Sequence, residues 1–369
     1  MEHHASTNND NPVNNLNNDN SINPIIINER DGLTGLANLG NTCYLNSCMQ
    51  VLSHTYPLNE FLKTNYTNKM NRTPDSILLI EWNKLRDMMW SENCIIAPNS
   101  FLNAIQKISE IKGRELFSGF QQNDVSEFLL FIIDCFHNAM RREVNVEITG
   151  LSKNYTDILA IKCYSMLKDM YKNEYSEMID IFFGISVTQI RSIKTDAILS
   201  CKPEPFCVLS LPIPFSNNNN NNNFTLFDCL DEYCKVERLE NDNAYMNEAT
   251  NEKENVDKGT LFWSLPQILI IDIKRYNFNG KKLNNHIDIP LENVSFSKYI
   301  NGYNQHSYIY DLYGICNHSG GTLGGHYTAY VKVKNGKWYN FNDTNVTEIN
   351  ENDLISNKSY CFFYRKKNR

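Results

Sequence analysis

Cys43 and His326 are the two residues of this 369-residue chain whose types and surroundings can do covalent chemistry together. Cys43 ends the stretch Gly35-Leu36-Ala37-Asn38-Leu39-Gly40-Asn41-Thr42-Cys43. Gly35, Gly40 and Asn38 tolerate unusual backbone angles, and Asn41 or Thr42 can cap a helix by accepting a backbone N–H bond. Leu45, Cys48, Met49 and Leu52 follow at helical spacing, which predicts a helix with one buried apolar face. Cys43 then falls in the first turn, where unpaired N–H groups and the positive end of the helix dipole favour thiolate over thiol. A lone cysteine is by default a small core residue; the loop and the helix start set this one apart. Asn38, on the entering loop, can supply an oxyanion donor beside the Cys43 backbone N–H.

A thiol nucleophile also needs a base, and His326 is the candidate, in Gly324-Gly325-His326-Tyr327-Thr328-Ala329-Tyr330-Val331. The two glycines let backbone or substrate approach closely, and His326 stands at the entrance of an alternating strand. Asn335-Gly336 is a two-residue hairpin signal, and the return strand Trp338–Phe341 delivers Asn342 and Asp343 to the end where His326 sits. An ideal two-residue hairpin sets Asn342 opposite Ala329, so a bulge or a different turn must close the gap before either residue can hold the imidazole. His318, in Asn317-His318-Ser319-Gly320, is the second choice of base. Cysteine, histidine and an orienting amide or carboxylate make the constellation of a thiol hydrolase.

The scaffold that must position them reads as two halves. Between residue 33 and about residue 185 the periodicity is helical, with stretches at Ser76–Met89, Phe101–Ile111 and, most clearly, Asn123–Met140. From about Ile185 onward short β-rich runs dominate: Cys207–Leu211, Gln267–Tyr276, Tyr308–Asn317, Tyr327–Lys334, Trp338–Phe341 and Tyr360–Arg365. The fold class is α+β, with nucleophile and base meeting at a cleft between the halves. Residues 1–31 are polar and Asn-rich and read as a disordered tail; a second Asn tract, residues 217–223, reads as an exposed loop insertion. There are no internal repeats.

Composition narrows the function further. A formal charge of −7 argues against nucleic acid as the main partner and suits a basic peptide or protein ligand. Eleven scattered cysteines, no Cys-x-x-Cys pair and no signal peptide suit reduced thiols inside the cell, cytoplasmic or nuclear. The longest apolar runs, Phe128–Ile133 and Ile268–Ile271, are too short to span a bilayer, so the expectation is a soluble protein.

With these residues in view, the chain resembles the ubiquitin-specific protease family of cysteine deubiquitinases over residues 32–366. Gly35–Leu52 is similar to that family's cysteine box. Tyr310–Gly314, His318-Ser319-Gly320, Gly324–Tyr327 and Trp338–Val346 are similar to its histidine box. Gln121–Leu129, Glu204-Pro205-Phe206 with Leu209-Ser210-Leu211, and Leu265–Ile270 with Lys274-Arg275-Tyr276 match its intermediate markers.

The resemblance implies a papain-like hand: a helical thumb (about 32–185), then a β palm with fingers (about 186–366). Ubiquitin, attached to its target proteins, is the implied partner, its arginine-bearing tail and terminal Gly-Gly threading to Cys43. Cys43 is then the nucleophile, His326 the base, Asn342 the third triad member and Asn38 the oxyanion donor; Asp343 can share or take over the orienting role. A narrow backbone-lined channel admits Gly-Gly by excluding side chains, with Gly324 and Gly325 as one wall. Asp124 and Glu127 would meet the tail arginines, although the same pair also reads as a helix capping box. Many relatives carry two Cys-x-x-Cys pairs that make a zinc site in the fingers; here the corresponding regions lack them, and Cys201, Cys207, Cys229 and Cys234 have the wrong spacing. The expectation is a monomeric enzyme with no metal and no cofactor. The rival readings are a silent ubiquitin-binding module, a protease for another Gly-Gly-tailed modifier, and a general papain-like peptidase.

Overall fold

The computed structural model describes residues 32–367 apart from 92–93, 118, 120, 216–222, 278 and 322–323. The expected tail, and all but the last residue of the Asn tract, lie outside the described residues. Seven helices occupy the first half: α1 (Cys43–Ser53), α2 (Tyr56–Lys63), α3 (Pro74–Ser91), α4 (Asn99–Ile111), α5 (Val125–Met140), α6 (Tyr155–Glu174) and α7 (Glu177–Phe182). The three periodic stretches become α3, α4 and α5. α5 begins two residues later than its pattern because Asp124 is its cap, accepting from the Ser126 and Glu127 N–H groups, an arrangement worth about 1 kcal/mol. A further helix, α8 (Leu226–Tyr233), lies among the strands, started by a capping box between Thr225 and Asp228.

Strands dominate from Gly184. Those that run through the two main sheets are, in chain order, β1 (Gly184–Ser192), β2 (Ile198–Phe206), β3 (Val208–Pro212), β4 (Glu237–Leu239), β5 (Val256–Ser264) and β6 (Ile268–Lys274), followed by β7 (Ile309–Gly321), β8 (Gly324–Lys332), β9 (Trp338–Asn342), β10 (Asn345–Ile349) and β11 (Ser359–Lys366). One sheet runs in the order β2-β1-β5-β4. The larger runs β10-β9-β8-β7-β11-β6-β3, with Val294–Ser295 added against β7. All its pairings are antiparallel except β6 with β3.

The large sheet is the centre of the molecule. In β6, Ile268 and Ile270 face one core while Leu269, Ile271 and Ile273 face another; in β11, Cys361 and Phe363 alternate with Phe362 and Tyr364 in the same way. A strand buried on both faces has to be apolar at every position, which is why these segments read as continuous hydrophobic runs. The helices of the first half other than α6 pack on one face and α8 on the other. α6 packs against the smaller sheet through Leu159, Ala160 and Cys163.

α1 departs from the expectation of one buried face: every one of its residues is buried, because it lies between the large sheet and the other helices. Two of its amides donate to the loop that precedes it. Asn46 Nδ2 donates to the Leu36 carbonyl at 3.2 Å, and Gln50 Nε2 to the Thr34 carbonyl at 2.8 Å. Buried amides without such partners would each cost about 1–3 kcal/mol.

Candidate active site

The loop 34–42 is shaped by its own polar atoms. Gly40 and Asn41 both take positive φ, 103° and 56°, the left-handed region that glycine and asparagine enter at least cost. Asn38 Oδ1 accepts from the Gly40 and Thr42 N–H groups, each at 3.1 Å. Thr42 occupies the N-cap position of α1, but its hydroxyl accepts from Leu39 N at 2.9 Å, and no side chain caps the helix. This differs from the cap expected of Asn41 or Thr42. The first-turn N–H groups are left for chemistry, and those of Cys43 and Tyr44 act to lower the pKa of the Cys43 thiol.

The histidine hairpin departs from the two-residue turn, and the departure sets the geometry. Gly336 N donates to the Val333 carbonyl at 2.9 Å and Val333 N to the Lys337 carbonyl at 3.0 Å, with Gly336 at φ +85°. The connection is thus the three residues Lys334-Asn335-Gly336, a turn closed by a left-handed glycine. Ala329 pairs with Phe341 rather than with Asn342, one step from the two-residue register. One step reverses which face a side chain points to. Asn342 thereby comes to the face of Thr328 and His326, diagonal to the imidazole, and His326 Nε2 donates to Asn342 Oδ1 at 2.7 Å. That bond leaves Nδ1 to receive a proton.

Asp343 does something else. It takes φ +50° in the turn between β9 and β10. Its Oδ2 accepts from Asn38 Nδ2 at 3.0 Å, its Oδ1 from Asn46 Nδ2 at 2.7 Å, and its carbonyl from Leu36 N at 2.9 Å. It joins the histidine hairpin to the cysteine loop and holds the Asn38 amide, whose second N–H has no partner among the described residues. The turn comes this near because residue 35 is glycine: a Cβ there would lie 2.5 Å from the Thr344 carbonyl oxygen.

Cys43 is 2% exposed. Burial raises its thiol pKa, and the Asp343 charge adds to the rise; the backbone of Tyr327, the residue after His326, pulls the other way, as do the first-turn N–H groups. Burial and Asp343 thus oppose the helix terminus in forming a thiolate. A negative sulfur here needs a proton acceptor and a compensating cation.

At the mouth of the site, Gln122 lies against Gly325: Gln122 Nε2 donates to the Gly325 carbonyl at 2.7 Å and Gly325 N to Gln122 Oε1 at 2.6 Å. Gly325 is required by close approach, since a Cβ would meet His318 Nε2 and lie 2.6 Å from the Ser319 carbonyl oxygen; at Gly324 the nearest atom is 3.7 Å away. Gly325→Ala should displace β8 one residue before His326, lowering kcat at least about tenfold and stability by about 1–3 kcal/mol. Steady-state kinetics and thermal melts would check both.

His318, the second choice of base, is buried. Its Nδ1 lies 3.0 Å from the Tyr276 hydroxyl, and its carbonyl accepts from Lys282 Nζ at 2.6 Å. Burial, reinforced by Lys282 and opposed by Asp124, lowers its pKa to about 4. The unfolded chain takes up that proton near pH 6.5. The resulting stability is full above pH 6.5 and is lost as pH falls toward 4. His318→Gln should flatten the fall in Tm over this window, by about 1–3 kcal/mol of stability.

Asp124 spends Oδ1 on the α5 cap and accepts from the Tyr360 hydroxyl at 2.6 Å through Oδ2. A ligand arginine would have to share that carboxylate. Glu127 makes no reciprocal capping bond and is exposed, without a partner among the described residues.

The residues present do not fit a structural zinc. Cys207, Cys229 and Cys201 belong to or pack against three different hydrophobic clusters, and among the described residues no group of three His, Cys, Asp or Glu is placed to hold a metal. At the end of the smaller sheet, Glu254 instead accepts from the Ser192 hydroxyl and from Asn247 Nδ2. A chelator should leave the Tm unchanged, whereas a zinc-dependent fold would melt lower.

Sequence reasoning passed over Asn46 as a site residue and quoted Gln122 without a role. The signal for Asn46 was an amide next to Leu45 in the apolar-faced helical run, three residues after Cys43, which demands a partner once buried. Gln122 carried no such signal, because its partner is a backbone peptide far away in sequence.

Among known proteins, a family profile described as ubiquitin carboxyl-terminal hydrolase matches residues 34–364. A Gallus gallus relative, ubiquitin carboxyl-terminal hydrolase 2, is 32% identical over 90% of this chain and 93% of its own. The Drosophila melanogaster ubiquitin carboxyl-terminal hydrolase Usp2 is 31% identical over 91% of this chain but 35% of its own length. The Homo sapiens ubiquitin carboxyl-terminal hydrolase 2 is 30% identical, with 55% of its length covered. The chain thus spans about a third to just over half of the fly and human relatives. In fold it is similar to the SAGA Ubp8/Sgf11/Sus1/Sgf73 DUB module bound to ubiquitin aldehyde, with a TM-score of 0.69, 24% identity, and 93% of this chain and 71% of that one covered.

Proposed function

Because the chain belongs to the ubiquitin carboxyl-terminal hydrolase family, we propose that it is a cysteine-type deubiquitinase cleaving the peptide or isopeptide bond after the C-terminal glycine of ubiquitin. The observation that carries this reading is the bond from His326 Nε2 to Asn342 Oδ1, on a strand packed against the helix that begins at Cys43. His326 takes the Cys43 proton, and the sulfur attacks the glycine carbonyl carbon. The oxyanion is met by the Cys43 N–H and the free N–H of Asn38, which Asp343 holds in place. The C–N bond breaks as His326 returns the proton to the departing amine, leaving a thioester. Water, activated by His326, then hydrolyses it and restores the thiol. No cofactor enters these steps.

In this reading residues 32–366 form the catalytic unit, with the helices as thumb, the large sheet as palm and the smaller sheet as fingers. Gly324 lines the channel for the Gly-Gly end. Of the two carboxylates, exposed Glu127 is the freer to meet a tail arginine, with Asp124 beneath it. A charge of −7 supports a protein rather than a nucleic acid partner. Eleven free cysteines support a reducing, intracellular setting. Among the described residues no helix is long and apolar enough to cross a membrane.

The test is reaction with ubiquitin bearing a C-terminal thiol-reactive group, read by mass spectrometry. A single adduct at Cys43 is expected. Ubiquitin binding without an adduct would favour the silent module, and an adduct only with another Gly-Gly-tailed modifier would replace ubiquitin as substrate.

A further inference from the structure

Gln122 reaches from the segment before α5 to β8, and the proposed reaction does not use it. Its side-chain amide takes both backbone groups of Gly325: Nε2 donates to the carbonyl at 2.7 Å, and Oε1 accepts from the N–H at 2.6 Å. An amide held this way presents one donor and one acceptor to a strand, as the backbone of a neighbouring strand would. Gln122 is itself exposed, two residues ahead of the Asp124 cap of α5.

The edge that Gln122 occupies carries no strand. β7 pairs with β8 from Gly324 to Val331 without a register shift, whereas β9 pairs with it only from Ala329 onward. In an extended strand the N–H and C=O of one residue point to the same side, and those of the next residue to the other. Gly325 directs both groups to Gln122 and away from β7, onto the side that β9 leaves uncovered. Tyr327, two residues on and about 7 Å away, turns its backbone to that same side, and it is the Tyr327 backbone that acts on the Cys43 thiol. The uncovered edge thus leads from Gly325 to the nucleophile. α5 also borders the start of α1, where Phe128 meets Tyr44 edge-on with ring centres 5.1 Å apart. The Gln122–Gly325 bridge therefore ties together the two elements that border Cys43.

We propose that the Gln122 amide is an exchangeable stand-in for the substrate backbone: the extended Gly-Gly tail displaces it and pairs with Gly325 in its place, so that Gln122 sets specificity as a gate. This rests on the reading of the site as a channel for a ubiquitin tail. For such a tail the exchange is nearly even, two hydrogen bonds given up and two gained. A ligand that cannot lay a backbone along Gly325, because a side chain obstructs it or because it has no peptide group, must break the bridge without replacing it. Discrimination then comes from the uncompensated opening of the bridge rather than from a tighter grip on the tail.

The test compares binding of labelled ubiquitin by the full chain carrying Cys43→Ala with binding by Cys43→Ala/Gln122→Met, in which the methionine keeps the stem and lacks the amide. Affinity is limited by the fraction of molecules whose edge is open, so the double variant should bind at least about threefold more tightly. Ubiquitin lacking its last two residues should bind both variants alike. With Cys43 in place, Gln122→Met should also speed alkylation of Cys43 by iodoacetamide at least about threefold. Should Gln122→Met fail to fold, Gln122→Asn, one methylene too short to bridge, should produce both shifts. Unchanged or weaker binding of ubiquitin, equal tightening of the truncated form, or unchanged alkylation would overturn the proposal; each is the result expected of a side chain that merely braces β8. Faster alkylation in Gln122→Met with ubiquitin bound by neither variant would uphold the gate and remove ubiquitin as its ligand.

Discussion

Cys43→Ala should leave ubiquitin hydrolysis at least about 10,000-fold below wild type, because no other group stands at the open first turn of α1 to form the thioester. Ubiquitin affinity should persist, since the alanine fits a site that is already buried. His326→Ala should fall nearly as far, and its residual chemistry makes a sharper prediction. Burial and Asp343 hold the thiol pKa above its ordinary value. Without the imidazole the sulfur then stays protonated at neutral pH. Labelling of His326→Ala by the ubiquitin probe should therefore rise about tenfold for each pH unit from 7 to 9, following the thiolate fraction. The wild type should show no such climb across that interval. A flat profile in His326→Ala would mean that the helix terminus alone ionises Cys43.

The second large effect separates two neighbours. Asn342→Ala removes the acceptor that fixes the His326 tautomer, and kcat should fall about a hundred- to a thousand-fold with little change in Tm, because Asn342 is only half-buried. Asn342→Asp should retain activity within about tenfold, since a carboxylate accepts the same bond. Asp343→Ala releases Asn38, Asn46 and the contact between hairpin and loop at once. It should lower kcat by about a hundredfold and also cost about 1–3 kcal/mol of stability, because the Asn46 amide is left buried and less satisfied. Loss of Tm in Asn342→Ala but not in Asp343→Ala would reverse the two roles.

Much of the site was legible because its chemistry is local. Cys43 at a helix start, and His326 ahead of an alternating strand, are decided by residues within a few positions of each. The helices α3 and α5 were legible for the same reason, their apolar faces recurring at a fixed spacing. What was not legible depends on distant contacts. That Asp343 bonds Asn38 and Asn46, some three hundred residues away in sequence, follows only once β9, β10 and the cysteine loop are assembled. The uncapped first turn of α1 was also hidden: Thr42 has the right type for a cap, but the loop geometry turns its hydroxyl toward Leu39. The hairpin lay in between. Asn335-Gly336 marked a turn correctly, yet the dipeptide admits a two- or a three-residue connection, and only the ladder shows which was taken.

That three-residue connection makes the site sensitive to parity. Adding or removing one residue between Val333 and Lys337 would send Asn342 to the opposite side of the sheet from His326, or else drag Phe341 and Trp338 out of the two cores they fill. A change of two preserves the facing and alters only loop closure, a matter of tenths of a kcal/mol by the length dependence. Insertions at this tip should therefore be tolerated in pairs and rejected singly, so that the His326–Asn342 pairing is guarded by an odd-even count in a loop at the far end of the hairpin.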